Sequence, residues 1–99
     1  MTPPADMKKD PATLHLNLHR EFFAAIAAGT KKTEYRARTP YWRTRLEGRH
    51  YDLIKFRNGY ATRAPEMLVK FAGLRRQGSG ANACYVIRLG RILKISRWH

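Results

Sequence analysis

The chain has 99 residues, enough for one domain with a modest core, and 43% of them are hydrophobic, which excludes a disordered tail. The single cysteine, Cys84, excludes an internal disulfide, and no apolar run approaches the roughly 20 residues of a membrane-spanning helix. Twenty Lys and Arg face seven Asp and Glu for a net charge of +13, beyond the magnitude of about 2–8 that solubility asks of a small domain, so the surface is built to attract a polyanion.

In chain order, residues 1–11 (MTPPADMKKDP) lack the apolar core of a signal peptide and read as a flexible leader before a single domain over 12–99. Ala12 to Leu16 alternates and reads as a strand. Asn17 reads as the N-cap of a helix with Glu21 in its first turns and Leu18, Phe22, Phe23 and Ile26 as its apolar stripe. Gly29 stops that helix one residue before the basic run begins. Lys31 to Arg38 reads as a strand, and Thr39-Pro40 opens a second helix that runs to about Leu46 and closes at Glu47-Gly48.

Tyr51 to Arg57 is the next strand, followed by a turn at Asn58-Gly59. Glu66 to Leu74 is another strand, Arg75 to Asn82 a flexible loop, and Cys84 to Ile95 a last strand or strand pair broken at Gly90. Phe22, Phe23, Ile54, Phe56, Leu68 and Phe71 are the expected core. Five or six strands with two helices define an α+β class, a small curled sheet or barrel with helices over its openings. Periodicity leaves barrel and open sheet equally possible.

No Cys pair, no HExxH, no GK[ST] phosphate loop and no serine elbow is present, so neither a metal nor a cofactor is expected. His15 and His19 are four apart, but the break at Asn17 denies them a common helical face. A chain with one cysteine and no signal core fits the cytoplasm, where the abundant polyanion is nucleic acid. No basic amphipathic helix points to a membrane surface instead.

One short run concentrates the chemistry. Between Ala28 and Thr39, Lys31, Lys32, Arg36 and Arg38 surround a single acid, Glu34. Gly29-Thr30-Lys31-Lys32-Thr33-Glu34-Tyr35-Arg36 resembles the G-x-K-x-x-E-x-R signature of ASCH domains, with Gly29, Lys31, Glu34 and Arg36 at the four defining positions. Tyr51 to Tyr60 (YDLIKFRNGY) and Val86 to Leu93 (VIRLGRIL) also look like that family, and the resemblance covers residues 12–96. It implies a PUA-like β-barrel with flanking helices, a cleft beside the signature and a role on RNA. Some members of the family are ribonucleases, and one branch hydrolyses the acyl amide of N4-acetylcytidine.

Lys31 offers a compact cation to a phosphate or a developing oxyanion. Glu34 can take the proton of an attacking 2′-hydroxyl, and Arg36 can clamp a phosphate in its planar fork. Alternatively, Arg36 holds Glu34, because residues two apart share a strand face. On an ideal strand Lys31 and Glu34 point to opposite faces, so their convergence requires a twist or bulge. In the amidohydrolase branch the lysine falls on Lys31, but the expected threonine position is Glu34, which cannot act as a hydroxyl nucleophile; the downstream acid has Glu66 as its candidate.

Around this run, Lys32 and Arg38 extend the basic surface, and Tyr41 and Trp42 beside Arg43 and Arg45 can either form an aromatic and basic platform for unpaired bases or pack the short helix on the core. Lys55, Arg57, Asn58 and Tyr60 flank a turn near a strand end and are candidates to line the same cleft, with Asn58 alternatively a plain turn residue. The expected partners are single-stranded RNA or nucleotides, not a membrane. The leading expectation is RNA binding with metal-independent cleavage. Hydrolysis of an N4-acetylcytidine-type nucleoside and RNA binding without catalysis are the alternatives.

Overall fold

Leu14 and Leu16 alternate with exposed His15 and give the five-residue first strand, β1 (Thr13–Asn17), one apolar face. The computed structural model describes residues 11–98, so the expected leader, Pro11 apart, lies outside the described residues. Helix α1 (Arg20–Ala27) buries Phe23 and Ile26, three residues apart on one face. Strand β2 (Thr33–Ala37) leads to α2 (Pro40–Leu46), whose N-cap Thr39 accepts a hydrogen bond from Trp42 N at 3.3 Å and whose Pro40 sits where a missing N–H costs nothing. Strands β3 (Leu53–Arg57), β4 (Glu66–Gln77) and β5 (Cys84–Ser96) complete the chain.

The strands form one sheet in the order β1-β3-β4-β5-β2, with β1 and β3 parallel and all other neighbours antiparallel. The sheet curls into a half-barrel in an α+β fold with two helices. Its concave face holds Leu14, Leu16, Ile54, Phe56, Met67 and Val69 against Phe23 and Ile26 of α1. Each such buried side chain stabilises the fold by about 1.5–3 kcal/mol. No helix of the described residues is long and apolar enough to cross a membrane.

Several expectations give way to longer-range contacts. Asn17 does not cap α1; His19 takes that position, and Asn17 ends β1. Its amide instead grips one backbone unit across the sheet, with Nδ2 donating to Gly59 O at 2.9 Å and Oδ1 accepting from Gly59 N at 3.2 Å. Phe22 is 44% exposed, because a helix that starts at Arg20 turns Phe23 and Ile26 inward and leaves Phe22 on the flank. Leu68 is also outside the core, since Met67 and Val69 on either side of it face inward. Phe71 packs against the core only as a half-buried neighbour.

The strand expected to begin at Lys31 begins at Thr33. Arg75, Arg76 and Gln77, read as loop, continue β4 and pair with Val86, Tyr85 and Cys84. Gly90 does not break β5; a Cβ there would meet Lys70 Cβ and O at 3.1 Å, so its bareness lets the two long strands approach. The turn between them is tight at Gly78 (φ +75°), where a Cβ would lie 2.5 Å from Asn82 O. The connection after Asn58-Gly59 is no two-residue hairpin, because β4 starts only at Glu66.

Candidate functional site

Glu34 and Arg36 lie opposite Ile87 and Tyr85, both core residues, so both side chains project to the concave face. Glu34 is 7% exposed and is the buried charge among the described residues. Burial of a carboxylate requires compensation, and it comes from both sides. Lys31 Nζ stands 3.3 Å from Oε1, while Arg36 Nε donates to Oε2 at 2.9 Å and Nη2 approaches the same oxygen at 2.7 Å. Lys31 reaches Glu34 because it precedes β2 and is not bound by strand parity.

Arg36 does more than hold Glu34. Its Nη2 also donates to Asn17 O at 3.0 Å. Asn17 belongs to β1 and Arg36 to β2, the two outer strands of the sheet. One guanidinium therefore ties together the edges that a closed barrel would join by backbone bonds. Its carbon also sits 5.0 Å from the ring centroid of Trp42, within cation–π range.

A cleft of about 410 Å³ opens at this junction. His15 and Asn17 of β1, the paired Lys55 and Arg57 of β3, and Arg36 of β2 line it. Tyr41 and Trp42 of α2 and Tyr60 of the following loop supply three aromatic rings. Trp42 packs one side on the core and meets Tyr41 edge-on at 4.9 Å. Arg45 stacks 3.5 Å from the Tyr41 centroid. Tyr60 is 88% exposed, and the Asn17 grip on Gly59 sets where its backbone emerges. Arg57 is braced by Ala61 O at 2.6 Å and by Glu66 Oε2, 3.2 Å from its Nε. Lys55 has no ion-pair partner among the described residues.

Of the residues singled out in the sequence, Arg36, Tyr41, Trp42, Lys55, Arg57 and Tyr60 therefore converge on one cleft. Lys31 and Lys32 line a separate depression of about 320 Å³ with Leu89 and Arg91, and Glu34 lines neither. Arg38 turns toward Glu47, and Arg43 stays exposed on α2 outside the cleft lining. The Asn58 side chain is committed to Leu18 O at 3.0 Å. His15 and Asn17 are lining residues that sequence reading did not select. Outward alternation of His15 with Leu14 and Leu16 was the available signal for the first.

A second polar cluster was not foreseen at all. Tyr85, wholly buried, donates its hydroxyl to Glu47 Oε2 at 2.5 Å, and Arg38 Nη2 donates to the same oxygen at 3.2 Å. The Tyr85 hydrogen bond, then the Arg38, Arg76 and Arg43 charges, hold the Glu47 carboxyl below its ordinary value against the opposing effect of burial. A carboxyl lowered by folding stabilises the native state above its ordinary titration range, and that contribution disappears as pH falls through the lowered value. Tyr85→Phe is therefore expected to lower the Tm at neutral pH, with the deficit shrinking in acid as Glu47 protonates in both proteins. Thermal melts across pH check this; a deficit constant down to acid pH would assign the loss to packing.

Among the described residues no group of three or more His, Cys, Asp or Glu is arranged to hold a metal ion. Comparison of the chain with protein-family models, with curated proteins and with solved structures found no match.

Proposed function

We propose that the chain is an ASCH-type domain on a PUA-like scaffold that binds single-stranded RNA in the cleft between the sheet edges. The observation that carries this reading is the lining: three aromatic rings and the cations Arg36, Lys55 and Arg57, with no carboxylate among the residues that form the cleft. Rings that stack unpaired bases beside cations that meet phosphates are the elements of single-strand recognition. The resemblance of Gly29, Lys31, Glu34 and Arg36 to the ASCH signature supports the same reading, as does the +13 charge.

Within it, Glu34 is a positioning residue. Both its oxygens face cations, and neither it nor Lys31 lines the cleft. To serve as the base of a ribonuclease it would have to release one cation and reach a ligand it does not face. The geometry thus favours binding without cleavage over both RNA cleavage and nucleoside amide hydrolysis.

Fluorescence anisotropy with labelled single-stranded RNA in EDTA, followed by a denaturing gel of the same samples, tests this. The expected result is salt-sensitive binding, weakening as counterion release loses its advantage, with the RNA intact after long incubation. Absence of binding at moderate salt would overturn the reading. Cleavage by wild type that disappears in Glu34→Gln would restore Glu34 as a catalytic base.

A further inference from the structure

The strand registers align a row of side chains across the outer, convex face of the sheet. His15 of β1 pairs with Lys55 of β3, Lys55 with Leu68 of β4, and Leu68 with Lys94 of β5. Directly opposed residues project from the same face. Their neighbours Leu14, Leu16, Ile54, Phe56, Met67 and Val69 fill the core, so this row faces outward. At the spacing of sheet strands it crosses roughly 14 Å. A shallow depression of about 200 Å³ follows it between Lys55 and Lys94.

In the adjacent row Lys70 of β4 lies opposite Leu53 of β3. Lys70 and Lys94 are exposed, and neither has an ion-pair partner among the described residues. The acid that lines the same depression, Glu66, is already bracketed by Arg57 at 3.2 Å and Arg97 at 3.6 Å. With that carboxylate engaged by two arginines, Lys55, Lys70 and Lys94 leave the surface there net positive around Leu68. Its first two members, His15 and Lys55, are also walls of the cleft, so the cleft and the row are one continuous surface.

We infer that the outer face of the sheet is a second, phosphate-binding segment of the interface, along which an RNA strand leaving the cleft at Lys55 runs across β4 to Lys94 with Lys70 at its side. This rests on the cleft being an RNA site, and adds a direction for the strand and a length requirement. A trinucleotide fills the cleft alone. A strand of about twelve nucleotides, within the span that single-strand sites commonly cover, also reaches Lys70 and Lys94. These contacts go to the backbone, so they carry affinity and salt dependence and no base preference.

The test compares an oligouridylate trinucleotide with one of about twelve nucleotides, across a salt series, for wild type, for the Lys70→Gln/Lys94→Gln double variant and for Tyr60→Ala. Both lysines are exposed and unpaired, so the double variant retains the wild-type Tm. Wild type is expected to favour the longer strand. In the double variant the slope of log affinity against log salt for the longer strand falls by about 1.4, at about 0.7 for each phosphate of the single strand that is no longer neutralised. Its trinucleotide affinity stays at the wild-type value, whereas Tyr60→Ala weakens both ligands. An unchanged slope, or equal weakening of trinucleotide binding in the double variant, would overturn the outer-face track and leave the cleft standing. If wild type binds neither strand, the cleft reading falls first and the track falls with it.

Discussion

Arg36→Met is expected to destabilise the domain by about 3 kcal/mol, which for a domain of this size lowers the Tm by roughly 12–24 °C. The variant leaves Glu34 buried with only Lys31 nearby, at 3.3 Å. It also removes the donor at 3.0 Å from Asn17 O and the guanidinium beside Trp42. The surviving lysine keeps the loss at the lower end of what stranding a buried charge costs. The decisive comparison is the double variant Glu34→Leu/Arg36→Met. Removal of the stranded carboxylate makes it milder than Arg36→Met alone, because a buried pair replaced by apolar side chains of similar size is often neutral while a half-broken pair is not. Denaturant melts of the two single variants and the double variant complete the cycle. A single-variant loss within about 0.5 kcal/mol, the range of ordinary surface changes, would show that the sheet edges are held by packing alone.

The parts of this structure legible in the sequence are those written in local chemistry. Thr39-Pro40 opens α2 because a hydroxyl cap and a proline are both decided within one turn. The pairing of Glu34 with Arg36 was open to sequence reading for the same reason, since residues two apart on a strand share a face. Asn17 shows the opposite case. Its cap-like position before α1 is a local signal, yet its amide is better satisfied by the peptide of Gly59, forty-two residues away. Arg75 and Arg76 lack the composition of a strand, and what extends them is the partner segment Cys84 to Val86, already held by β2 on its other side. Phe22 and Leu68 are apolar enough for any core, and only the start of α1 and the pleat of β4 place them outside it. The cleft itself was the least legible element. Which basic residues meet there follows from the strand order, which puts β1 and β2 at opposite edges and then curls them together. No periodicity within either strand encodes that meeting, which is why Lys32, Arg38 and Asn58 looked equivalent to Lys55, Arg57 and Tyr60.

Tyr60→Ala is expected to weaken single-stranded RNA binding by roughly 5–150-fold, the range of about 1–3 kcal/mol for loss of one base–aromatic stack, with no change in Tm. Tyr60 isolates binding from folding better than the other rings do. Trp42 rests on the core, and Tyr41 holds both Trp42 and Arg45, so truncation of either disturbs the scaffold. Tyr60 is 88% exposed on a loop whose preceding residue, Gly59 (φ +104°), is fixed by Asn17. The backbone that presents its ring is thus held by contacts that survive the substitution. Stacking releases no counterions, so the affinity of Tyr60→Ala should fall equally at every salt concentration while the salt slope stays at its wild-type value. Tyr60→Phe should bind as wild type does, because the ring and not the hydroxyl makes the stack. If Tyr60→Ala lost affinity through its salt slope, the tyrosine would be acting through a neighbouring cation such as Arg57 and not on a base. If it bound as tightly as wild type, the interface would be electrostatic throughout, and the cations Lys55, Arg57, Lys70 and Lys94 would carry it without base stacking.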